Sequence, residues 1–113
     1  MRFTEYQSLM NDTKWEEIWL AMTYIPELIC WRTKDMETNY TCDWDAEWFN
    51  HFKIDGDKDS YKTIEWLEFK FENEEVKNRL LKILKEIHVP GEVLVNTIKI
   101  YGYVKKGTSI DYI

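Results

Sequence analysis

The chain has 113 residues, 44% hydrophobic and 32% charged, with a net charge of −6 and a pI of about 4.9. That is enough chain for one buried core, and the balance excludes a disordered polymer. The longest largely apolar run, residues 18–25, is too short for a membrane-spanning helix. An acidic field repels phosphate backbones and anionic lipid, so neither nucleic acid nor membrane is expected as a partner.

Residues 1–10 place Phe3, Tyr6, Leu9 and Met10 at roughly helical spacing, which predicts a short helical turn. Met1-Arg2-Phe3-Thr4-Glu5 lacks the apolar run of an export leader, so a cytoplasmic protein is expected. In that compartment Cys30 and Cys42 are expected as reduced, half-buried thiols. A hairpin centred on Met36 would bring them face to face, so a disulfide is conceivable in geometry.

Thr13-Lys14-Trp15-Glu16 has the form of a capping box. Behind it Trp15, Ile18, Trp19, Met22 and Ile25 share one face, predicting a helix over 13–25 that stops at Pro26. Residues 28–34 read as a strand, with Leu28, Cys30 and Arg32 on one face and Ile29, Trp31 and Thr33 on the other. A polar turn over 35–39 leads to a returning strand over 40–44.

Residues 44–52 fit neither period cleanly; a loop entering a short strand is expected, with a helical turn as the alternative. Asp55-Gly56-Asp57 signals a turn. Residues 61–71 form the most strand-like segment. Leu67, Phe69 and Phe71 lie on one face, and Ile64, Trp66, Glu68 and Lys70 on the other. Asn73 then caps a helix over 74–87, whose stripe is Val76, Leu80, Ile83, Leu84 and Ile87. After Pro90-Gly91, residues 92–104 form a strand or strand pair bent near Asn96, with Ile98, Ile100 and Val104 inward and Lys99, Tyr101 and Tyr103 outward.

This order predicts an α+β fold in a single domain spanning 1–113. Its expected frame is an antiparallel sheet of four to five strands with two main helices on one face. The opposite face would then show Ile64, Trp66, Tyr101 and Tyr103 to solvent.

The residues with most chemistry are at 40–52, where five aromatics and three carboxylates surround His51. Charge is concentrated there as well: residues 43–59 hold six acids and two bases, a local −4. Asp55, Asp57 and Asp59 begin like a calcium loop, but Ser60 stands where that loop needs glycine and Trp66 where it needs a carboxylate. No second histidine stands at ligand spacing, and no phosphate-binding glycine loop or nucleophile motif is present. No metal, cofactor or catalytic residue is therefore assigned, and no enzyme activity is expected.

Lys14-Trp15-x-Glu17-Ile18, Trp31-Arg32-Thr33-Lys34-Asp35, Asp43-Trp44-Asp45-x-Glu47-Trp48-Phe49-x-His51-Phe52, Tyr61-Lys62-x-Ile64-Glu65-Trp66, Gly102-Tyr103-Val104 and Asp111-Tyr112-Ile113 together resemble a family of small uncharacterised bacterial proteins. The resemblance runs over residues 13–113 and implies a domain type, not an activity. In size, acidity and aromatic content the chain is also similar in character to immunity proteins of bacterial toxin systems.

The expected function is binding of a basic protein, in its sharpest form an immunity protein or antitoxin that neutralises a toxin such as a nuclease. The expected contact residues are Asp43, Trp44, Asp45, Glu47, Trp48, His51, Glu65 and Trp66, with carboxylates pairing to partner bases and tryptophans as desolvated anchors. The alternative is a small-molecule site or small enzyme built from Trp31, Trp44, His51, Glu65 and Trp66.

Overall fold

A computed structural model of the protein describes residues 5–47 and 61–113. Its elements in chain order are β1 (Tyr6–Ser8), α1 (Asp12–Tyr24), β2 (Cys30–Asp35), β3 (Ile64–Lys70), α2 (Glu74–Ile87), β4 (Gly91–Val93), β5 (Thr97–Tyr101) and β6 (Tyr103–Lys105). The strands form a four-stranded antiparallel sheet in the order β2-β3-β5-β4 and a separate β1-β6 pair. The α+β expectation holds, with the strands divided between two sheets.

Both helices follow from local chemistry. Asn73 Oδ1 accepts from the Val76 N–H (2.9 Å) and starts α2, while His88, at φ 66°, ends it in a left-handed cap. Leu80 and Leu84 are fully buried, and Val76, Ile83 and Ile87 pack beside them. In α1 the cap is Asn11, whose side chain accepts from the Lys14 N–H (2.8 Å), in place of Thr13. The helix therefore starts two residues earlier than the capping box implied and presents Trp15, Ile18 and Met22 to the core.

One core joins these helices to the inner sheet face, where Ile29, Trp31, Leu67, Phe69, Ile98 and Ile100 are buried. Alternation sends Arg32, Trp66, Glu68, Lys70, Lys99 and Tyr101 to the other face.

Two expectations fail for non-local reasons. Tyr6 to Ser8 is a strand, because it pairs with β6 (Tyr6 opposite Lys105, Ser8 opposite Tyr103), and that partner is about a hundred residues away. Ile64 belongs to the core, at 7% exposure, and not to the open face. Asp35 pairs with Ile64 while Lys34 pairs with Trp66, so Glu65 is an extra residue on β3. Such a bulge lets residues 64 and 66 leave opposite faces despite their even spacing.

The 35–40 turn is fastened by Asp35. Its Oδ2 accepts from both the N–H (2.8 Å) and the hydroxyl (2.9 Å) of Thr38, and Asn39 takes a left-handed φ of 61°. Burial pushes the Asp35 carboxyl up, but donors from Thr63, Thr38 and Glu37 outweigh this and hold it below its ordinary value. A depressed carboxyl contributes stability above its unfolded pKa and loses it as pH falls through the native value. Asp35→Ala is therefore expected to cost about 1 kcal/mol at pH 7. In urea melts the gap from wild type should close as the pH falls through the depressed native pKa of the carboxyl.

Candidate functional site

The chain leaves β2 through the 35–40 turn and comes back along its free edge. Lys34 pairs with Thr41 and Trp31 with Asp45, in antiparallel sense. Three steps on β2 thus face four on the returning segment, so residues 42–44 hold one residue too many for a regular ladder. The expected returning strand over 40–44 is for this reason present only as separate bridges. Cys42 sits against Thr33, its sulfur accepting from the Thr33 N–H (3.3 Å), while Cys30 lies opposite Lys70. The two thiols are free and do not face one another.

The irregular segment directs Trp44 across the open sheet face, where the ring is half-buried between two cations. Arg32 Cζ lies 4.5 Å and Lys70 Nζ 4.6 Å from its centroid. Trp66 has a similar setting, with Lys99 Nζ at 4.2 Å and Arg32 at 5.9 Å. Beneath them β2, β3, β5 and β4 contribute one residue each to a cross-strand row: Arg32, Glu68, Lys99 and Glu92. Charge alternates along this row, and the neighbouring row is Lys34, Trp66 and Tyr101.

Glu68 is the fixed point of the face, only 5% exposed. Arg32 Nε donates to its Oε1 (2.8 Å) and the Thr97 hydroxyl to its Oε2 (2.8 Å), so both oxygens are committed. Lys34 Nζ pairs with Glu65 Oε1 at 3.3 Å, and the Tyr101 hydroxyl donates to Glu92 (2.8 Å). Burial first, and then the Glu92 bond and nearby carboxylates, push the Tyr101 phenol above its ordinary range. It stays protonated and serves as a donor.

Among the expected contact residues, Asp43 and Glu47 are exposed, while Trp44, Asp45, Glu65 and Trp66 are half-buried. The Asp45 side chain accepts from the Glu47 N–H (2.8 Å) and so shapes its own turn. Trp44, Glu65 and Trp66 come together around the open face, with Asp43 and Glu47 at its rim. Trp48, His51 and the Asp55–Asp57–Asp59 run lie outside the described residues. Trp31 is 5% exposed and belongs to the core face, so it does not line a common pocket with Trp66.

Arg32, Glu68, Lys70, Thr97 and Lys99 were not singled out from sequence as site residues. Their signal was there: each holds an outward position in its strand, and only the register that sets them side by side was missing.

Among the described residues, no three His, Cys, Asp or Glu side chains come together as metal ligands. No helix among them is long and apolar enough to cross a membrane. No curated protein and no solved structure matches the chain. A family model described as a family of unknown function, DUF6678, matches residues 2–107, and the protein belongs to that family.

Proposed function

We propose that the protein is a small cytoplasmic binding domain for a basic protein, most specifically an immunity protein or antitoxin that neutralises a basic toxin such as a nuclease. The observation that supports it is the rim at 43–47. There two exposed carboxylates, Asp43 and Glu47, flank the half-buried Trp44 on an irregular sheet edge. A toxin that grips phosphate backbones carries lysines and arginines, and a negative rim both attracts it and matches its charge pattern. Trp44 and Trp66 add area that desolvates at low entropic cost.

The test is association kinetics with the product of the neighbouring gene as the candidate partner. Asp43→Asn with Glu47→Gln is expected to slow association roughly tenfold at low salt and much less at high salt, because rim charges act mainly on encounter. A rate unchanged by these substitutions removes the rim from the interface.

One observation favours the small-molecule reading. A groove of about 430 Å³, lined by Lys34, Glu65, Tyr101, Tyr103 and Val104, opens between the two sheets. That volume is within the range of ligand sites, and a thermal-shift screen with metabolites checks it, since a ligand of the native state raises Tm.

A further inference from the structure

The open face carries four cations, Arg32, Lys34, Lys70 and Lys99, against three acids, Glu65, Glu68 and Glu92, the last standing opposite Lys99. Glu68 has both oxygens committed to Arg32 and Thr97, and Glu65 is taken by Lys34. Lys70 and Lys99 are half-buried and have no carboxylate within 4.0 Å among the described residues; each rests on a tryptophan ring. Arg32 uses Nε alone, which leaves both of its terminal nitrogens as undirected donors among the described residues.

Register brings these cations together. Lys99 and Arg32 oppose Glu68 from either side, and Lys70 stands opposite Cys30 and Thr97, so Lys70 is the diagonal neighbour of both. Diagonal positions lie about 7–8 Å apart, within reach of long side chains. A cavity of about 240 Å³ opens beside Lys70; it is also lined by two acids, Glu27, whose Oε2 pairs with Arg79, and the exposed Glu72.

A lysine whose stem lies on an aromatic ring needs no carboxylate, and its ammonium keeps its charge available to an approaching anion. In a chain of net charge −6, two lysines on one face with no carboxylate bonded to them among the described residues offer a place for a negative group. The free edge of an arginine is suited to a planar or tetrahedral oxyanion, and ammoniums close around it as point charges.

We infer that the open sheet face binds the oxyanion group, phosphate or carboxylate, of a small molecule among Lys70, Lys99 and the terminal nitrogens of Arg32. The site shares the Trp44 and Trp66 rings with the surface proposed for a basic protein, so an oxyanion and such a partner would compete for this face, and the titration is made on the free chain.

The experiment follows the indole N–H resonances of Trp44 and Trp66 in the full chain. Inorganic phosphate is titrated in one arm and acetate in the other, at ionic strength held constant with chloride. Saturable shifts of both indoles are expected in at least one arm, and the arm that saturates identifies the chemistry. Lys70→Met with Lys99→Met keeps the apolar stems over the rings while removing the charges. That variant is expected to weaken binding at least tenfold at unchanged Tm. Shifts that are linear in both arms, or that saturate equally in the double variant, overturn the assignment.

Discussion

Replacing Glu68 by Ala is expected to cost about 3 kcal/mol and to lower Tm by roughly 10–15 °C. The carboxylate is almost fully buried and closes two hydrogen bonds at once, to Arg32 Nε and to the Thr97 hydroxyl. Its removal orphans a buried hydroxyl and leaves a part-buried guanidinium without its counter-charge, beside two further cations. Loss of one partner is the costly event, because the other keeps its desolvation penalty. Arg32→Met combined with Glu68→Leu is therefore expected to recover most of the stability, since an apolar pair of similar volume leaves no charge stranded. Calorimetry on Glu68→Leu alone beside the double variant separates this electrostatic origin from simple loss of packing, in which case Glu68→Leu alone would recover as much as the double variant.

The second large effect is expected at Gly102, the residue between β5 and β6. It crosses the bulged part of β3 so closely that its N–H donates to the Glu65 carbonyl (2.7 Å), while its own carbonyl accepts from the Leu9 N–H (2.9 Å). A Cβ placed there would clash with the Ile64 carbonyl oxygen and lie 3.2 Å from Trp15 Cζ2. The obstacle is backbone, which cannot swing aside as a side-chain tip can. Gly102→Ala is expected to lose more than about 3 kcal/mol in chemical denaturation. Gly107 provides the contrast. It has a φ of 89° but open space around it, so alanine there costs only the conformational penalty of about 1 kcal/mol. Equal losses at the two positions would contradict the close crossing.

These two residues also show where sequence reasoning reaches and where it stops. The helices were legible because their signals are local: Asn73 capping, the spacing of Leu80 and Leu84, and the stripe of Trp15, Ile18 and Met22 all lie within one or two turns. Strand facing was legible wherever alternation is unbroken, as at Leu67 and Phe69 or at Ile98 and Ile100.

It failed at Ile64, because one extra residue at Glu65 resets the phase, and nothing in Ile-Glu-Trp announces that. It failed at Tyr6 to Ser8, because the partner strand lies at the far end of the chain. Of the site, the acidic and aromatic character of 43–47 was visible in composition. The cations that stack on Trp44 and Trp66 come from three strands, and only cross-strand register places Arg32, Lys70 and Lys99 beside them.

The proposal that the 43–47 rim and the adjoining open face form the binding surface is tested most directly by mapping amide shifts in a complex. The labelled protein is titrated with the product of the neighbouring gene as the candidate partner. The expected result is a saturating one-to-one complex with the largest shifts at Asp43, Trp44, Glu47 and Trp66. Failure to form a complex, or shifts confined to the outer faces of α1 and α2, would contradict it.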